Sequence, residues 1–233
     1  MTDDLRRAVE LRVSVRASPE TNDHEVCLFG DGQDLVDRFG DKSIGLDPDD
    51  ILNTPCPLDA SELERECVIG RCDCGVLGCG DVRVRIRIQG ELVVWSPSWG
   101  PRDPVCFAAN QYRAEIERAL ADHTWETPER TASRLIACRI DREKLAAHGF
   151  KFCNASGRSQ PGSMTVALWL EPGPYQVLVR SWSGPVDLHL LADSVVALLA
   201  RPPALWPDVQ WLPQAKGLGA PTVAGPGWRP WHI

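Results

Sequence analysis

The chain has no surplus of positive charge: 25 Lys and Arg stand against 32 Asp and Glu, a formal charge of -7. Without a basic tract it lacks the counterion release that supplies most nucleic-acid affinity, so the expectation is no nucleic-acid partner. It also lacks a membrane-length apolar run. The longest, Leu188 to Ala200, is 13 residues with Asp193 inside it, well short of the roughly 20 a spanning helix needs. Asp3 and Asp4 follow Met1, and MTDDLRRAVELRVSV holds no apolar secretion core. A cytoplasmic protein with no membrane role is expected. Gly-x-Ser-x-Gly, Gly-x4-Gly-Lys, Gly-x-Gly-x2-Gly and His-Glu-x2-His are all missing, as is any Cys-x2-Cys. Large familiar enzyme classes lose support accordingly.

What is present is ordinary for a folded protein: 233 residues, 43% hydrophobic and 24% charged. That excludes disorder and collagen-like repeats. The charge is uneven. Residues 1–80 carry 18 acids against 8 bases, net -10, which leaves 14 against 17, net +3, for residues 81–233. The acidic first third is either a solvated surface or a patch that docks a basic protein.

Period-two alternation marks strands at 11–17 and 25–29 and, most clearly, at Val82 to Ile88. There Val82, Val84, Ile86 and Ile88 share one face and Arg83, Arg85 and Arg87 the other, a stripe read as a solvent face. A hairpin turning at Gln89-Gly90 returns along Glu91 to Ser96. Asp47 followed by Pro48 starts a short helix, and Phe107, Tyr112, Ile116 and Leu120 suggest one of three to four turns. Thr127-Pro128 opens a helix or a connector, Asp141 to His148 a short helix, and Phe150 to Asn154 a strand. A second hairpin, Met164 to Leu170 and Tyr175 to Trp182, is apolar on both faces and belongs in the middle of a sheet, with Leu188 to Ala200 as a covering helix. His189 in that helix reads as a core imidazole.

The expected fold is therefore α+β, an antiparallel sheet built from hairpins with helices packed on it, and an echo between the hairpins suggests two related strand–strand–helix units. The expected organisation is residues 1–122 with the cysteine cluster, hairpin and helix, 123–200 with the second hairpin and helix, and a tail at 201–233, or else a single compact domain. That tail, with 7 Pro, 4 Gly and 4 Trp in 33 residues, is expected to hold no regular helix or strand but to lie back on the domain through its indoles.

The densest chemistry is ECVIGRCDCGVLGCGDV, where Cys67, Cys72, Cys74 and Cys79 fall at spacings x4, x1 and x4. Zinc wants four soft ligands in a tetrahedron, and glycines 75, 78 and 80 permit the tight fold that would aim several thiolates inward. Cys72, Cys74 and Cys79 form the core set, with Cys67, Cys106, Asp73 or a distant His as fourth ligand. Two other readings stand beside zinc: small buried hydrophobes in a tight turn, and a redox-active thiol pair.

The run Gly70-Arg71-Cys72-Asp73-Cys74-Gly75 through Gly78-Cys79, followed by Val93-Val94-Trp95-Ser96, resembles a segment of uncharacterised bacterial proteins that share Cys-x-Cys-Gly-x2-Gly-Cys and a Val-x-Trp strand. The resemblance implies that cluster and hairpin form one unit, and it brings no activity with it. The leading expectation is a soluble, non-enzymatic binding or interaction protein with a structural zinc held by Cys67, Cys72, Cys74 and Cys79. One version is an acidic immunity-type inhibitor that covers a basic protein through Asp31, Asp34 and Asp37. The alternative is a thiol- or metal-dependent enzyme that uses the same cluster.

Overall fold

A computed structural model describes residues 8–18, 23–40, 42–53, 55–72, 74, 79–157, 163–171, 173, 175–182 and 187–231. The chain divides into two compact units, Met1–Trp125 and Glu126–Ile233, each with its own apolar core. The architecture is α+β, with strands in mostly antiparallel sheets.

In the first unit, alternation in LRVSVRAS buries Leu11 and Val13 and produces β1 (Leu11–Ser18), paired antiparallel with β2 (Asp23–Gly30). A turn leads to β3 (Gln33–Asp34) and α1 (Leu35–Phe39), whose N-terminus is capped by the Asp34 carboxylate accepting from Val36 N and Asp37 N. After β4 (Ser43–Gly45), Asp47 caps α2 (Pro48–Ile51), as its Asp-Pro start anticipated. A five-stranded sheet follows the order β4, β5 (Arg65–Cys72), β6 (Val82–Gln89), β7 (Leu92–Pro97), β8 (Val105–Ala108). Gln89 pairs with Leu92, so the loop is Gly90-Glu91, and Gly90 supplies the positive φ of 63° that this tight turn requires. Helix α3 (Ala109–Ala121) begins two residues beyond Phe107, which lies in β8 instead.

The core of this unit is built on Trp95, fully buried, whose indole N–H donates to the Tyr112 hydroxyl at 3.2 Å. That hydroxyl donates in turn to Leu58 O at 2.6 Å, so neither buried polar group is left unpaired. Leu11 and Val13 turn the free edge of β1 toward α3, where side chains complete the ladder. Gln111 exchanges two hydrogen bonds with the Leu11 backbone, Glu115 accepts from Val13 N at 2.7 Å, and Arg118 donates to Val13 O. A helix thereby blunts an edge that would otherwise invite pairing.

Burial alone raises the Glu115 carboxyl, but hydrogen bonds from Arg118 and Val13 N–H outweigh it and hold the group below its ordinary value. A carboxyl depressed in the folded state contributes stability above its unfolded pKa of about 4.3, and that contribution is lost as pH falls through the folded value. Glu115→Gln is therefore expected to cost about 1 kcal/mol at pH 7. Urea denaturation repeated at acidic pH should show the difference from the parent shrinking toward zero; a constant difference would contradict the assignment.

In the second unit, Thr127 and Pro128 open α4 (Pro128–Arg139), Asp141 caps α5 (Arg142–Ala147), and β9 (Phe150–Ser156) follows. The apolar hairpin forms β10 (Ser163–Leu170) and β11 (Tyr175–Trp182), central in their sheet, and Asp187 caps α6 (Leu188–Leu199), which packs on α4. His189 is not a core residue: it is exposed in the first turn of α6, where Arg139 reaches its Nδ1 at 2.5 Å and Asp193 at 2.7 Å. The tail contains strands after all. β12 (Val209–Pro213) pairs antiparallel with β11, and β13 (Trp228–Pro230) pairs parallel with β12, completing the order β13-β12-β11-β10-β9. The open edge of β11 supplies the hydrogen bonds that the composition of the tail could not supply for itself. Among the described residues no helix is long and apolar enough to cross a membrane.

Candidate metal centre

The cysteine cluster lies at the end of the β5–β6 hairpin. Gly70 pairs with Val82 as the last cross-strand pair before the connection, and Cys72 is the final residue of β5. Two neighbours fix Cys72. On one side it pairs with Ser43 of β4. On the other it lies near Gly80, where an added Cβ would sit 3.2 Å from Cys72 Cβ and 3.8 Å from its Sγ, so a larger residue there would press on Cys72. Cys74 and Cys79 belong to the connection and are exposed, and Cys72 is half-buried.

The three Sγ atoms lie within 4.8 Å of one another. A tetrahedral zinc with bonds near 2.3 Å needs sulfurs about 3.8 Å apart, so the group requires a contraction of at most roughly 1 Å to take an ion. In the free thiols, hydrogen bonding to Cys74 and then to Cys72 pushes Cys79 up to about 11. A divalent cation amid these sulfurs would reverse the preference, because it stabilises thiolate charge that the neighbouring sulfurs disfavour.

Cys67 stands outside this group. It occupies the core face of β5, 5% exposed, and its thiol donates to Val68 O. Extended chain rises about 3.3 Å per residue, which places Cys67 on the order of 16 Å from Cys72 along the strand. Burial also pushes its thiol up to about 12, so an ionised sulfur there is disfavoured. As fourth ligand it is corrected to a core residue. Cys106 is likewise buried, in β8. Asp73 and His232 lie outside the described residues, and His24, His123, His148 and His189 do not join the group. All nine cysteines are free thiols.

Other sequence candidates resolve into structure. Arg83 pairs with Asp81 at 2.7 Å and Glu66 at 2.9 Å, and Arg85 and Arg87 approach Glu64. The stripe is thus a ladder of ion pairs, exposed at Arg85 and Arg87, where each is of small energetic worth, and half-buried at Arg83. Of the three carboxylates assigned to docking, Asp31 accepts from Glu10 N at 2.7 Å and Asp34 caps α1, so both serve the local backbone. Asp37 is exposed on the helix, and Asp31 stays exposed beside its bond to Glu10. Ser43 and Gly80 flank Cys72, and of the two only Ser43 was missed from sequence. Gly80 carried a signal as a glycine flanking the cluster; Ser43 carried none, since its pairing with β5 spans 29 residues.

Fold and site together define an α+β protein with a three-cysteine group able to hold a metal ion. Comparison of the chain with protein-family models, with curated proteins and with solved structures finds no match.

Proposed function

We propose that this is a non-enzymatic binding protein whose β5–β6 hairpin is closed by a zinc ion on Cys72, Cys74 and Cys79. The convergence of three sulfurs within 4.8 Å at one hairpin end carries the reading. Thiolates are soft ligands that suit zinc, and a metal there would tie the connection to a strand end already fixed by Ser43 and Gly80. The fourth ligand is a water or a donor outside the described residues. Free thiols throughout agree with a reducing compartment, and the net -10 of residues 1–80 supports docking of a basic protein.

A second reading rests on the donor count. Three cysteines rather than four also suit a zinc that keeps one position for water, the arrangement of catalytic sites. Metal analysis separates these readings from the metal-free one. The protein purified with zinc is expected to carry one ion per chain, and cobalt in its place should show thiolate charge-transfer absorption. Cys72→Ser, Cys74→Ser and Cys79→Ser should each abolish stoichiometric binding, whereas Cys67→Ala should leave it intact. Equal loss in all four variants would end the three-cysteine assignment.

A further inference from the structure

Two of the three sulfurs have a second chemistry open to them. Cys74 and Cys79 are both exposed, and their Sγ atoms lie within 4.8 Å of each other. Every other cysteine lacks one of these two properties. Cys27, Cys56, Cys67 and Cys106 are buried, and Cys138 and Cys153 are exposed but belong to no such group among the described residues. Cys72 is near enough but constrained, because its strand pairing with Ser43 and its contact with Gly80 fix its backbone. A Cys72–Cys74 bridge would join residues i and i+2, about 6.6 Å apart in extended chain and at the limit of disulfide geometry. Cys74 and Cys79 are five positions apart in sequence, a separation that sets no such limit on a bridge between them.

We propose that Cys74 and Cys79 form a peroxide-responsive dithiol that closes to a disulfide when the hairpin holds no metal, leaving Cys72 as a thiol. The Cys74 thiolate attacks one oxygen of the peroxide, the O–O bond breaks, and water leaves after taking up a proton, giving a sulfenic acid. The Cys79 sulfur then attacks that sulfenic sulfur. The S–O bond breaks, the hydroxyl departs with the Cys79 proton as a second water, and an S–S bond forms. Two thiols thus give up two electrons to one peroxide, and the balance closes without a further reactant. The bridge removes two of the three sulfurs from a metal, so the hairpin holds either an ion or a disulfide. The inference uses the sulfurs of the proposed zinc site but does not rest on zinc binding.

The test uses the full chain, stripped of metal, treated with an equivalent of hydrogen peroxide and quenched by alkylation. The expected result is a protein that has lost two hydrogen atoms and two alkylation sites, with peptide mapping that joins Cys74 to Cys79 and finds Cys72, Cys138 and Cys153 alkylated. In Cys79→Ser, oxidation should stop at a Cys74 sulfenic acid trapped by dimedone. A link that includes Cys72, a Cys74 driven to sulfinic acid without a link, or faster oxidation at Cys138 or Cys153 would each overturn the proposal. Because the readout is sulfur connectivity in metal-free protein, a failure to bind zinc leaves it standing, and a missing disulfide leaves the zinc reading standing.

Discussion

Trp206→Ala is expected to destabilise residues 126–233 by about 4 kcal/mol, the range for an aromatic side chain removed from a packed core. Trp206 is fully buried, stacks on Trp228 with ring centroids 6.0 Å apart and lies 5.2 Å from Phe150. Its indole N–H donates to Arg201 O at 3.1 Å, and that of Trp228 donates to Pro203 O at 2.9 Å. The two indoles thereby secure the 3₁₀ turn at Pro203–Leu205 and bring Val209 and Trp228 into register on the sheet. Removing the first opens a cavity between Phe150 and Trp228 and leaves the Arg201 carbonyl without its partner. Trp231, 37% exposed at the end of the same segment, is the control: its alanine variant should stay within about 0.5 kcal/mol of the parent. Chemical denaturation followed by far-UV circular dichroism measures both. Equal costs would mean that Trp206 does not anchor the tail.

What the sequence disclosed and what it concealed follow one division, between local pattern and distant pairing. The β6–β7 and β10–β11 hairpins were legible because their alternation and turns are encoded within a few residues of each other. The Asp47 cap of α2 and the short helix α5 were legible for the same reason, whereas Thr127-Pro128 left helix or connector open for α4. Strand β5 was not, because RECVIGRC mixes charge, cysteine and glycine, and its two neighbours, β4 and β6, decide its extended state. Misreading it had a direct consequence for the site. With Glu66 to Val82 read as one tight cysteine cluster, Cys67 looked like a ligand; with residues 65–72 extended, it is carried down the strand into the core. The capping of β1 by Gln111, Glu115 and Arg118 was likewise hidden, since it joins residues about a hundred positions apart. Only Cys72, Cys74 and Cys79, within eight consecutive residues, lay close enough to be grouped from spacing alone.

Gly45→Ala should cost about 3 kcal/mol and weaken zinc binding at the same time, because one strand serves both the core and the cluster. An added Cβ at Gly45 would lie 2.0 Å from Val26 O and 2.9 Å from Val26 C, both backbone atoms that no side-chain rotation can move aside. Strand β4 must therefore withdraw from β2, straining the hydrogen bond from Val26 N to Leu46 O. The same movement pulls Gly45 N away from Glu25 Oε2, now 3.1 Å distant, and Glu25 is 2% exposed with Arg16 as its other partner. Overpacking of about 1–3 kcal/mol and a weakened bond to a buried carboxylate act in the same direction. Two residues earlier in β4, Ser43 pairs with Cys72, so the withdrawal loosens the strand end that presents the half-buried sulfur. Loss of such support around a ligand typically costs metal affinity at least tenfold, and a zinc Kd roughly tenfold weaker is expected. Gly32→Ala separates this coupling from general destabilisation: Gly32 has φ of 81° with nothing near its missing Cβ. It should lose about 1 kcal/mol through backbone strain with its zinc affinity unchanged. If both variants bound zinc as the parent does, β4 would have no part in presenting Cys72; if Gly45→Ala matched the parent in stability, the closeness of β4 to Val26 would itself be wrong.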